Sequence, residues 1–186
     1  LFNSGLEFIP QGQSSSTRNL LRNLLRGKGM CLTILGEVVE GDGVFGQLLQ
    51  HSEGRIEIAE VHWLRARLFT QSSRFDHSIE AALTGLNTMG IRIKFDALLF
   101  IRIGIQALRM TYKIRRMDYN SLHNIGTIQS ESELLTLQLI AELVIPTYLS
   151  QPVLTGLVVG KELELVLRWG HSTHSAEAIQ DFTSLI

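Results

Sequence analysis

Between His62 and Leu108 the sequence HWLRARLFTQSSRFDHSIEAALTGLNTMGIRIKFDALLFIRIGIQAL changes its apolar period twice, and this limits the folds open to the chain. Leu64, Ala66 and Leu68 alternate with Arg65, Arg67 and Phe69, the period of two of a half-buried strand, and residues 71–74 interrupt it with polar turn formers. The pattern predicts a strand that ends near Thr70. Asp76 or Ser78 then offers an oxygen to the free N–H groups of a first helical turn, and Ile79, Ala82, Leu83 and Leu86 recur at i, i+3, i+4 and i+7. These predict a helix that stops near Gly90. After an extended IRIKF, Asp96 is placed to cap a second helix over 97–108, although Ile101, Ile103 and Ile105 also alternate as in a strand.

The same reasoning extends along the chain. Residues 30–39 and 55–61 read as strands, with Gly41-Asp42-Gly43 and residues 51–54 as turns. Residues 134–145 carry apolar positions at helical spacing behind Glu131 and Glu133, which favour the positive end of a helix dipole, and this helix is expected to end before Pro146. Leu163, Leu165 and Leu167 alternate with Glu162, Glu164 and Val166, so 156–168 reads as two short strands or one bent strand, with a turn at Gly160-Lys161. Residues 1–17, rich in Ser, Gly and Gln, read as an extended N-terminal arm anchored by Leu1, Phe2, Leu6, Phe8 and Ile9. Strands and helices without regular alternation predict an α+β fold: one compact domain over 18–186, a mixed or antiparallel sheet with two or three helices packed on it. A chain of 186 residues with 45% apolar content is long enough to bury such a core.

The order of strand, Arg-containing turn, helix, Gly and helix resembles the core of rhabdovirus matrix proteins. MTYKIRRMDY (110–119), read as the next strand, holds the run Tyr112 to Arg116 that is similar to a segment of the lyssavirus branch. LTGLVVGKELELVLRW (154–169) resembles the late Gly-Leu-x-x-Gly-x-x-Glu-Leu strand pair of the vesiculovirus branch. The resemblance implies a non-enzymatic structural protein that self-associates as a helical or lattice homo-oligomer and condenses the nucleoprotein–RNA complex. It further implies a peripheral link to envelope lipid and the glycoprotein tail during budding, and a place between nucleocapsid and envelope or at the inner membrane face, cytoplasm or nucleus of the host cell. In such proteins the N-terminal segment of one molecule occupies the globular part of the next, so the arm residues are candidates for self-association; packing on the arm's own core is the other reading. Two departures stand out. The net charge is −1 with a pI of about 6.7, where animal members are basic. The three prolines, Pro10, Pro146 and Pro152, form no proline-rich late-domain motif, which tilts the resemblance toward a plant-infecting member.

Two basic clusters carry the remaining chemistry. Arg18, Arg22, Arg26 and Lys28 with Leu20, Leu21, Leu24 and Leu25 form a basic amphipathic helix able to lie on an anionic membrane, dock on a partner or pack on its own core. Lys113, Arg115 and Arg116, beside Tyr112 and Tyr119, are candidates for contact with phosphate or an acidic nucleoprotein surface, the alternative being a charged strand edge that resists pairing. Gly41 to Gly46 fits G-x-G-x-x-G, yet Glu40 and Asp42 put negative charge where a phosphate would sit. A hairpin turn is therefore favoured there, with a nucleotide-binding loop as the weaker alternative. His171 and His174 lack a third metal ligand at motif spacing, and no cofactor or metal is expected. Cys31 permits no intramolecular disulfide and reads as a small core residue. No apolar run reaches the ~20 residues a bilayer core requires, and the Leu1 start suggests part of a longer protein. The rival to a matrix protein is an adaptor that binds protein partners and forms no lattice.

Overall fold

A computed structural model describes residues 15–93, 99–116 and 127–170, and among these the chain is helical, with seven helices and no strand. They are α1 (Ser15–Leu35), α2 (Val38–Gln50), α3 (Arg55–Gln71), α4 (Phe75–Thr88), α5 (Leu99–Arg116), α6 (Glu131–Ser150) and α7 (Pro152–Trp169). The expected α+β sheet is thus replaced by an all-helical array.

Three helices stop in the same way. At the ends of α1, α3 and α4 the residues Gly36, Ser73 and Gly90 take positive φ of 75°, 58° and 84°. The following N–H bonds back five residues: Glu37 to the Leu32 carbonyl, Arg74 to Phe69 and Ile91 to Leu86, at 3.0, 2.8 and 2.9 Å. This is the Schellman closure, which satisfies carbonyls that the helix leaves free. At the start of α6 the Ser130 hydroxyl accepts from the Glu133 N–H at 3.4 Å, and Glu131 and Glu133 lie in the first turn. Pro152 opens α7, where its missing N–H would be unpaired in any case.

The helices pack in series. α1 lies on α2, α2 on α3, α3 on α4, α4 and α3 on α6, α6 on α7, and α7 on α5. Leu25, Leu32, Val44, Phe45, Leu48, Val61, Leu64 and Leu68 fill the space between α1, α2 and α3. A larger cluster joins α3, α4, α6 and α7, with Ala59, Phe69, Ile79, Leu86, Leu139, Ile140, Leu143 and Val158 at its centre. Met110, Val159 and Leu163 form a small third cluster that fixes α5 on α7. Each buried branched side chain in these clusters contributes about 1.5–3 kcal/mol by leaving water.

Several expectations are corrected by this packing. The segment 64–69, read as a strand ending at Thr70, and the strand read at 55–61 together form α3. The alternation misled because α3 is enclosed by α1, α2, α4 and α6 and buries residues around its circumference, among them Ala59, Val61, Leu64, Ala66 and Leu68. The intervening Arg65 is held by Asp42 at 2.7 Å, and Arg67 lies 5.0 Å over the Trp63 ring. The strand read at 30–39 is divided between the last turn of α1 and the first of α2, and Cys31 is exposed rather than in the core. The strand read at 110–119 is helical through Arg116, with 117–119 outside the described residues. The strands read at 156–168 belong to α7, where Lys161 pairs with Glu164 at 3.0 Å along one helix face.

The helix expected to stop before Pro146 runs on to Ser150. Pro146 is buried, and the Thr147 hydroxyl donates to the Leu143 carbonyl at 2.7 Å, in the turn where the ring removes a backbone donor. At 20 residues and a mean hydropathy of 1.2, α6 is long and apolar enough to cross a bilayer by composition, but 44% of that window is buried inside the fold against α4 and α7. Helix α4 forms as expected and ends before Gly90; its capping residue is Arg74, with Asp76 in the first turn, and neither Asp76 nor Ser78 is the cap. Of the arm read at 1–17, Ser15 to Thr17 are the first turn of α1 and the anchors Leu1, Phe2, Leu6, Phe8 and Ile9 lie outside the described residues.

Candidate docking face

Helix α5 has two apolar sides. Toward α7 it turns Ile103, which packs at Gly156, Gln106, which packs at Gly160, and Met110, which joins Val159 and Leu163. The residue numbers rise together, so α5 and α7 are parallel. Away from α7 it turns Ile101, Ile105, Leu108 and Tyr112, which are 58%, 46%, 74% and 58% exposed. Their spacing of four, three and four places them in one row along the helix. Leu108, Arg109, Thr111 and Tyr112 border an open groove of about 440 Å³ on this side.

Charge follows the same helix. Residues 99–116 contain Arg102, Arg109, Lys113, Arg115 and Arg116 and no acidic residue. Arg109 is exposed beside the apolar row and pairs with no described acidic side chain. The sequence offered Lys113, Arg115 and Arg116 on a strand, either as a nucleoprotein contact or as a charged edge that resists pairing; their backbone instead forms the last turn of α5. The signal missed in the sequence was the row itself, because Ile101, Ile103 and Ile105 also satisfy an alternating pattern.

The other basic cluster is placed differently. Arg18 pairs with Glu53, Arg22 with Glu57, Arg26 with Glu60 at 2.9 Å and Lys28 with Glu40 at 3.1 Å. The first three form a ladder in which α1 runs parallel to α3, and two of its rungs cross a cleft of about 220 Å³ that Glu131 also borders. The positive charge expected to face a membrane or a partner is met by carboxylates of the same chain. Burial raises the Glu57 pKa, but N–H donation from Glu53 and Gly54 and the Arg22 guanidinium outweigh it, so this carboxyl titrates below 4.5.

The remaining sequence motifs find no site. Gly41 to Gly46 lies inside α2: the Gly41 N–H donates to the Glu37 carbonyl at 2.9 Å, and Val44 and Phe45 are buried. With its backbone donors used by the helix, the segment is neither the expected hairpin turn nor a loop able to cradle phosphates. His62 is buried between α3 and α4, its Nδ1 has no hydrogen-bond partner, and desolvation first and Arg65 second push its pKa below 6.5. Among the described residues no three His, Cys, Asp or Glu side chains converge as metal ligands. His171 and His174 lie outside the described residues. No family model, curated protein or solved structure matches the chain.

Proposed function

We propose that the chain is a non-enzymatic protein–protein adaptor that presents the outer face of α5 to a partner. The observation that supports this reading is the row Ile101, Ile105, Leu108 and Tyr112, a large apolar surface on a helix already anchored by its opposite side. Helical rows of this kind are recognised by partners that lay a complementary apolar face along them. The viral matrix reading drew on an order of strands and helices that the described residues do not contain.

The test is selection of a displayed library of helical peptides against the wild-type chain, with Ile105→Glu/Leu108→Glu as counter-target. Both residues are exposed, so the variant should keep its helical circular dichroism and melting temperature. Binders that hold the wild type and release the variant are expected. A selection whose binders treat the two alike removes the proposed face.

A further inference from the structure

We infer that the partner of α5 is an amphipathic helix with a row of acidic residues along one flank of its apolar seam. This rests on the adaptor reading and names the chemistry of the partner.

Ile101, Ile105, Leu108 and Tyr112 fall on alternating d and a positions of a heptad. Such a seam is narrow and suits another helix. A helix lying in a bilayer interface buries a broad apolar sector, whereas the side of α5 opposite this seam is committed to α7. The two flanks differ. Arg109 occupies the e position, and Arg102 and Arg116 stand one heptad before and after it on the helix. Across the seam, the g positions are Gly104 and Thr111. A Cβ at Gly104 would meet nothing within 4 Å, so a second backbone can come close on that side.

A second copy fits poorly. Paired antiparallel, two α5 helices set e against e, so arginine faces arginine. Paired parallel, they set arginine against Gly104 and Thr111, and α5 has no acidic residue to answer the charge. A helix that supplies Glu or Asp opposite the arginine row satisfies both the seam and its flank.

The experiment uses the full chain and synthetic peptides of about three heptads with Leu at a and d, identical except for Glu, Gln or Lys at e and g. Fluorescence anisotropy at moderate salt should show the Glu peptide binding at least about tenfold more tightly than the Lys peptide, and Arg109→Glu should narrow or invert that ratio. If all three peptides bind alike and all are lost with Leu108→Glu, the docking face stands and the acidic partner is refuted. If none binds, the adaptor face itself falls. Two further readouts overturn the inference: association of the wild type with phosphatidylserine vesicles that Leu108→Glu abolishes, and a wild-type dimer in sedimentation that Leu108→Glu converts to monomer.

Discussion

Replacing Gly43 and Gly46 by Ala distinguishes the helix seen at residues 38–50 from the turn or phosphate loop that the glycine pattern suggests. Both residues lie inside α2, neither is among the described glycines with positive φ, and a Cβ at either would meet no heavy atom within 4 Å. Gly inside an exposed helix costs about 0.8–1 kcal/mol relative to Ala, mainly through the backbone freedom it loses on folding. Each substitution should therefore stabilise the chain by about that amount, and the pair by about 1.5–2 kcal/mol. In a domain of this size ~1 kcal/mol moves the melting temperature by about 2–4 °C, so the double variant should melt about 3–8 °C higher. Gly41→Ala is the internal contrast. Its Cβ would sit 3.2 and 3.3 Å from the two methyls of Leu68, so crowding opposes the helical gain and the net change should be small. Urea unfolding followed by far-ultraviolet circular dichroism measures all three. Loss of stability by Gly43→Ala and Gly46→Ala, as at turn glycines with positive φ, would refute the helix.

Three other outcomes are expected. Gly29→Ala and Gly85→Ala should each destabilise by about 1–3 kcal/mol in urea melts, because their Cβ atoms would lie 2.3 Å from the Phe45 ring and 2.8 Å from a Leu139 methyl; stability equal to the wild type at either would show that the helix contact there is looser than described. His62 folds in its neutral form with a depressed pKa, so as pH falls through 6.5 the unfolded chain takes up a proton that the native chain resists; stability drops from there down to the lower folded value and then levels off. The urea midpoint should fall more between about pH 7.5 and about pH 5.5 for the wild type than for His62→Gln, a range above the Glu57 titration, and equal falls would exclude His62 as the cause. Converting Arg18, Arg22 and Arg26 together to Glu should lower stability by about 1–3 kcal/mol at low salt and less at high salt, since exposed pairs are worth ~0.2–1 kcal/mol each and are screened. Joint reversal of Glu53, Glu57 and Glu60 to Arg should restore it, and flotation with anionic vesicles should be unchanged by the arginine substitutions; weakened flotation would restore a membrane role to α1.

Helices α1 and α4, each with one buried stripe, were legible in the sequence, whereas α3 and α7, buried on several sides, were not; α6 is enclosed as well but was legible from its apolar spacing behind Glu131 and Glu133. Ile79, Ala82, Leu83 and Leu86 gave α4 because its other face is open, and the leucines of 18–28 gave the core of α1 for the same reason. In α3 and α7 apolar residues occur around the whole circumference, and the polar positions between them have partners: Arg65 with Asp42, Lys161 with Glu164. Local alternation then mimics a strand, since a period of two needs only three or four residues to be persuasive. The basic residues of α1 were read on a helix, as found, but their pairing with Glu53, Glu57 and Glu60 spans about 35 positions, a separation that no local pattern reports. The outward row of α5 was present in the sequence. Its identification as a face required knowing that Ile103, Gln106 and Met110 are the side taken by α7.

The distribution of charge gives a reason for the docking face to lie at α5 rather than at the other end of the array. Residues 91–116 hold seven basic residues and one acidic residue, a net of +6 in a chain whose total is −1, which leaves −7 for the rest. Among the described residues, serial packing leaves α1 and α5 each with exposed apolar side chains. Near α1 Ile34 and Leu35, with Val39 at the start of α2, are all strongly exposed, but Lys28 of α1 is answered by Glu40 of α2. At α5 the open side combines an apolar seam with Arg109, which no described carboxylate meets. Where the chain's own acids neutralise a basic helix, burial and charge are both satisfied internally; at Arg109, which no described carboxylate meets, an acid-flanked helix from outside would supply both at once.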